Sequence, residues 1–286
     1  MHAYVRLLSA VAATASLGVT SAGAADTWQY RGVARFTLPD GGYRSQGAVW
    51  DGKHWFFSWH YGLERAGADF HTMQRNSNLW KKSGIPAEIA AHGGNHIGDI
   101  DQFDGKLYVP IEDAPDYHRP VIAVFDAASL AWTGVAFPLQ AAYLSRGVPW
   151  VVVDGPGNLT CTAEWESATR LNVHRLSDFG SLGYLQLQKP VDRLQGAKVS
   201  GAYLYAASDN ASKSIYRISR SDGTVEEILQ LGSYHDLHDG QEHEVEGLGV
   251  VEDASGNHLH VLLRHGSLQR QFSAAMLFLH FERLAQ

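Results

Sequence analysis

Asp99-Ile-Asp-Gln-Phe-Asp-Gly-Lys-Leu-Tyr-Val-Pro110 holds a polar opening, a short strand, an Asp-Gly turn and a second strand of apolar and aromatic residues. Gly accepts the positive φ that a two-residue hairpin turn demands, so this stretch reads as a β-hairpin. The same grammar recurs four times. It appears at Gln46-Gly-Ala-Val-Trp-Asp-Gly-Lys-His-Trp-Phe-Phe-Ser58, Pro149-Trp-Val-Val-Val-Asp-Gly155 and Gln195-Gly-Ala-Lys-Val-Ser-Gly-Ala-Tyr-Leu-Tyr205. The last copy is Glu246-Gly-Leu-Gly-Val-Val251, continuing to His258-Leu-His-Val-Leu262. The copies open at residues 46, 99, 149, 195 and 246, so they are 53, 50, 46 and 51 residues apart. Asp51-Gly52, Asp104-Gly105, Ser200-Gly201 and Ser255-Gly256 supply the turns.

A period near fifty with several strands per copy is that of a four-stranded propeller blade. Third strands follow at Val121–Asp126, Leu171–Arg175, Ser214–Ile218 and Met276–Phe281, and Ser221-Asp-Gly223 turns into a fourth. The expected fold is therefore all-β, a five-bladed β-propeller. The chain ends after the third strand of the last copy, and Trp28–Phe36 offers the missing strand, which would close the circle and hide both sheet edges. Pro86–Ala91 and Pro138–Leu144 are expected as short helical turns.

Residues 1–24 read as an export signal: Arg6 and His2 precede the apolar run Leu7–Val19, and Ala22-Gly23-Ala24 is the small-x-small pattern of a cleavage site. The apolar run is too short to span a bilayer. Residues 25–286 are then a single propeller domain, secreted to a periplasm or the exterior. The net charge of −7 and the lack of a long basic run argue against nucleic acid or an anionic membrane as partner. The expected partner is a small-molecule substrate, and the expected state a monomer. Cys161 is the only cysteine, which excludes an internal disulfide, and its setting in Leu159-Thr-Cys-Thr-Ala163 suits a buried strand position.

The first strand of each blade lines a propeller's channel, so equivalent repeat positions face one axis. Those positions are Gln46, Asp99, Pro149, Gln195 and Glu246. Four carry side-chain oxygen, a donor set suited to a hard cation, Ca²⁺ above all, or to a hydrated polar plug. Gln46, Asp99, Gln195 and Glu246 are thus the candidate metal ligands. Three residues earlier, on the loop at the channel mouth, stand Tyr43, His96, Arg146, Asp192 and His243. The recurrence of His96-x-x-Asp99 and His243-x-x-Glu246 places an imidazole above a carboxyl group twice. His96 and His243 are therefore candidate acid/base residues, and Arg146 a candidate holder of a carboxylate or phosphate. Tyr43, His60, Trp150 and Asp192 are the candidate substrate contacts, although Trp150 would serve equally as core. The run His235–His243 has metal-binding composition but reads also as a solvated loop, and Asn158-Leu-Thr and Asn210-Ala-Ser are glycosylation patterns.

The blade openings Ser45-Gln-Gly-Ala-Val-Trp-Asp-Gly52 and His243-Glu-Val-Glu-Gly-Leu-Gly-Val250 resemble those of plant-type glutaminyl cyclases and calcium-activated nucleotidases (apyrases), both five-bladed propellers. The apyrase likeness implies a channel cation held by Gln46, Asp99, Gln195 and Glu246, with Pro149 breaking the pattern. The cyclase likeness implies metal-independent acyl transfer. There a Gln-Gly opens the first blade and a Glu-Gly-Leu the second, whereas here the Glu-Gly-Leu falls in the fifth. A looser resemblance extends to calcium-dependent lactonases and phosphotriesterases, which have six blades. Three expectations follow. One is a hydrolase or lyase for a small anionic substrate, using a divalent cation and histidine acid/base chemistry. The second is a cyclase-like acyl transferase with Asp99 or Glu246 moving the proton, and the third a non-catalytic carbohydrate- or protein-binding module.

Overall fold

The computed structural model describes residues 27–234, 237, 240–254, 256–266 and 275–284. The export signal, Ser255 of the last hairpin turn, and His235, Asp236, His238 and Asp239 of the histidine-rich run lie outside the described residues. No helix among the described residues is long and apolar enough to cross a membrane.

Strand β1 is Trp28–Phe36. The first blade is β2 (Gly47–Trp50), β3 (Trp55–Trp59), β4 (Gly62–Ala66) and β5 (Thr72–Arg75). In the second, β6 (His96–Ile97) and β7 (Asp101–Phe103) both pair with β8 (Lys106–Glu112), followed by β9 (Val121–Asp126) and β10 (Trp132–Pro138). The third holds β11 (Val152–Asp154), β12 (Leu159–Thr162), β13 (Ala168–Arg175) and β14 (Ser181–Val191). The fourth holds β15 (Leu194–Ser200), β16 (Tyr203–Ser208), β17 (Ser214–Ser219) and β18 (Val225–Gln230). The fifth holds β19 (His243–Asp253), β20 (Gly256–His265) and β21 (Ala275–Arg283). All five sheets are antiparallel, and the protein is a five-bladed β-propeller. The helical turns fall at Ala87–Ala91 and Ala141–Tyr143.

The last blade is completed by β1, which pairs antiparallel with β21 from Trp28↔Arg283 to Phe36↔Met276, with a bulge between Tyr30 and Gly32. Joining the first strand to the last covers an edge that would otherwise present unpaired backbone groups. Asp104 and Gly105 carry φ of 50° and 70°, the paired positive values of a primed hairpin turn.

Five buried apolar clusters form, one at each contact between neighbouring blades. Val49, Phe56 and Leu63 meet Leu107, Val109 and Phe125 between the first and second blades. Phe57 and Trp55 meet Met276 and Phe278 between the fifth and first. A blade is therefore covered on both faces, which is why β3 reads Trp-Phe-Phe-Ser-Trp with every residue buried. Removing one such Phe to Ala costs about 3–5 kcal/mol in transfer and cavity terms.

Polar groups anchor the segment that leads into the first blade. Arg44 is 2% exposed, binds Glu64 Oε1 at 2.5 Å and the Phe70 carbonyl oxygen at 2.8 Å, and lies over the rings of Phe36 and Phe57. This clamp fixes the chain immediately before Gln46.

Candidate active site

A buried side-chain ion pair joins the inner strands of the second and fourth blades. Asp99, between β6 and β7, is fully buried; its Oδ2 accepts from Lys198 Nζ at 2.7 Å and its Oδ1 from the Ala48 backbone N–H at 3.1 Å. Room for this carboxylate comes from glycines: a Cβ on Gly47 would stand 2.5 Å from Asp99 Oδ1, and one on Gly196 2.6 Å from Oδ2. Asp101, two residues on, shares the same charge environment and accepts from the Val153 N–H at 2.7 Å. Burial raises the pKa of both carboxyls, with Lys198 the chief force holding them down.

A hydrogen-bonded chain runs from Glu112 to Glu246. Glu112 Oε1 meets His96 Nδ1 at 2.7 Å, His96 Nε2 meets Gln46 Oε1 at 2.7 Å, and Gln46 Nε2 reaches Glu246 Oε2 at 3.3 Å. The Gln46 amide orientation follows from its neighbours, because Nε2 also donates to the Ser45 carbonyl oxygen at 2.8 Å. Both ring nitrogens of His96 are thus engaged, one by Glu112 and the other by Gln46, which fixes the ring between the two. Glu112 is held in turn by the Val148 N–H, 2.7 Å from its Oε2.

Glu246 is 6% exposed. Burial, then the charges of Glu244 and Asp209, push its pKa well above the usual carboxylate range, against the pull of Arg264. Arg264 pairs with Glu244, and its Nε lies 4.0 Å from Glu246 Oε1. His60 packs against His96 with ring centroids 4.4 Å apart, and burial, His96 and Arg264 drive its pKa down to about 3. The mouth thus brings together two imidazoles, a carboxyl group of raised pKa and a guanidinium.

Two cavities share the wall made by His60 and Tyr61. One, of about 240 Å³, has Gln46, Glu246 and Arg264 in its lining together with apolar walls from Trp59, Leu79 and Trp80. The other, of about 410 Å³, is lined by His96, Glu112, Tyr117, Arg146 and Lys82 among others.

The structure gathers some of the expected residues and scatters others. Gln46, Glu246, His96 and His60 come together. Gln195 lines the larger cavity and turns its Nε2 to Glu244 Oε1 at 3.5 Å. Arg146 stands at the rim, largely exposed, 3.3 Å from Glu166. His243 packs on His265 at 5.0 Å and lines neither cavity. Tyr43 is structural: its hydroxyl accepts from the Leu79 N–H at 3.2 Å, and its ring packs on Trp59. Asp192 accepts from the Ser167 N–H at 2.9 Å. Trp150 is wholly buried in the core between the third and fourth blades, so it cannot meet a substrate. Burial raises the Cys161 thiol to about 12, so no thiolate is on offer.

Each of the four proposed metal ligands has a side-chain partner of its own. Asp99 is paired with the Lys198 ammonium, while Gln46 and Glu246 are hydrogen-bonded to one another. Among the described residues no group of three His, Cys, Asp or Glu side chains is placed to hold a metal ion.

Glu112, Arg264, Glu244 and Lys198 were not singled out in the sequence. Lys198 carried a signal, an ammonium among small and apolar residues in Leu-Gln-Gly-Ala-Lys-Val. Glu112 carried none, since it reaches His96 only through the β6–β8 register.

Fold and site define a five-bladed β-propeller with a titratable channel mouth. No family model and no curated protein sequence matches the chain. Among solved structures, a chain of Kuenenia stuttgartiensis hydrazine synthase is similar at 13% identity and a TM-score of 0.44, over 79% of this chain and 57% of that one. KlHsv2 with loop 6CD replaced by a Gly-Ser linker is similar at 11% identity and a TM-score of 0.39, over 77% and 64%. The chain spans less than two thirds of either protein's length.

Proposed function

We propose that the protein is an exported enzyme that performs metal-independent acyl transfer on a small substrate at the channel mouth, with Glu246 carrying the proton. The observation that carries this reading is Glu246 itself, a carboxyl group whose pKa burial and Glu244 push up, on the wall of a cavity and hydrogen-bonded to Gln46. A neutral carboxylic acid offers a proton from one oxygen and accepts one at the other, the arrangement needed to pass a proton from an attacking amine to a leaving nitrogen. Ring closure also makes the fifth blade a neighbour of the first. Gln46-Gly47 and Glu246-Gly247-Leu248 therefore lie side by side, as the adjacent motifs of glutaminyl cyclases do, though in the opposite order around the axis.

The reaction to test is cyclisation of an N-terminal glutaminyl group. The amine nitrogen attacks the side-chain amide carbon, the C–N bond to the amide nitrogen breaks, and Glu246 moves the amine's proton to the departing ammonia. No water is consumed. The His96–Glu112 pair orients Gln46, and the neutral His60 ring packs against it. The assay is ammonia release from a glutaminyl dipeptide in excess EDTA. Turnover that persists with chelator and falls about 100-fold or more in Glu246→Gln supports the reading. No turnover, or turnover lost on chelation and restored by Ca²⁺, overturns it.

A further inference from the structure

A strand covered by blades on both faces is expected to be apolar on both, and β13 breaks that rule on one side. Its sequence Arg170-Leu-Asn-Val-His174 alternates, so Leu171 and Val173 take one face and Arg170, Asn172 and His174 the other. The polar face looks into a groove of about 680 Å³ between the second and third blades, within the range of small-ligand sites. Arg170 is held between two aromatic rings, its guanidinium carbon 4.4 Å from the Tyr143 centroid and 5.4 Å from that of Tyr184. No ion pair of the described residues involves it, and no Asp or Glu lines the groove. Burial lowers the His174 pKa, leaving that ring neutral, so Arg170 is the groove's one charge. Asn172, 6% exposed, and Gln140 and Ser181 add amide and hydroxyl groups, and Tyr143 is 41% exposed.

We propose that this groove binds an acidic saccharide. The fixed guanidinium fork suits a ring carboxylate, the amides and hydroxyl suit sugar hydroxyls, and the exposed Tyr143 ring offers a flat apolar face to a pyranose. An arginine already stacked on two rings has lost most of its rotamer freedom before the ligand arrives, which lowers the entropy cost of binding. The site is separate from the channel mouth and does not depend on the acyl-transfer reading.

Isothermal titration calorimetry with tri-galacturonate tests it, with maltotriose as the neutral control and benzoate as the carboxylate without hydroxyls. The expected result is binding of tri-galacturonate that weakens about tenfold or more in Arg170→Gln and less in Arg170→Lys, with maltotriose and benzoate each at least about tenfold weaker. Glu246→Gln, at the other site, should bind tri-galacturonate as the unmodified protein does. Thermal unfolding of each variant separates lost binding from lost fold, and Tyr143→Ala, at an exposed position, gives a second reading if Arg170→Gln does not fold. Absence of binding by tri-galacturonate overturns the proposal, as does equal binding by folded Arg170→Gln, by maltotriose or by benzoate.

Discussion

Replacing Lys198 with Met leaves the Asp99 carboxyl buried without its cation. Lys198 Nζ stands 2.7 Å from Asp99 Oδ2, and both side chains are 4% exposed or less. Breaking a buried pair from one side costs about 3–5 kcal/mol. At about 2–4 °C per kcal/mol for a domain near this size, the melting temperature should fall by about 6–20 °C. The loss should also depend on pH. The Asp99 pKa rises from 3.8 to about 7 in the fold, so its contribution to stability is full below the lower value and is lost as pH rises through the upper one. Removing Lys198, which pulls the folded pKa down, pushes the upper limit higher. The penalty should therefore be small at pH 5, where the acid is neutral, and large at pH 8. Thermal unfolding at the two pH values, followed by circular dichroism, reads this directly. The double variant Lys198→Met/Asp99→Asn should recover much of the loss, because neither charge is then buried alone. A penalty equal at both pH values, or none at pH 8, would refute the account of the pair.

Four further outcomes are expected. Excess EDTA should leave the melting temperature within about 1 °C, since 1 kcal/mol corresponds to about 2–4 °C; a larger drop reversed by Ca²⁺ would restore the channel cation. Gly196→Ala places a methyl 2.6 Å from Asp99 Oδ2 and 2.8 Å from the Leu248 nitrogen, so it should cost about 3 kcal/mol or more in urea unfolding. Glu244→Gln removes a charge that raises the Glu246 pKa, so the alkaline limb of any mouth-dependent activity should move to lower pH. The total loss of stability as pH rises through the Glu246 pKa should also be smaller in this variant, because the window between its unfolded and folded pKa values shortens. Deleting Trp28–Phe36 uncovers the β21 edge and should produce concentration-dependent association, measurable by light scattering.

The five blades and their closure were legible because both rest on local chemistry. Asp104-Gly105 specifies a turn whatever surrounds it, and the alternation of the strands follows from the backbone. The missing strand of the last blade followed from counting strands, and β1 fills it. The site was legible only in part. Spacing along the chain gives the blade position of Gln46, Asp99, Gln195 and Glu246 but not their depth or direction. Asp99 sits where the second blade's inner strand is interrupted between β6 and β7, which drops its carboxylate onto Gly47 and Gly196 and beside Lys198. His96 and His243 occupy equal repeat positions, yet His96 is held by Glu112 and Gln46 at the cavity wall while His243 packs on His265.

By itself the sequence determines the repeat, the turns, the all-β class and the closing strand, since these depend on residues a few positions apart and on a period that shows along the chain. The partners of each buried charge depend on tertiary structure. Asp99 is 99 residues from Lys198, and Gln46 is 200 residues from Glu246. Only closing the circle brings such groups within 3.5 Å, in a water-poor space where each ionisable group's protonation is set by the few neighbours it meets.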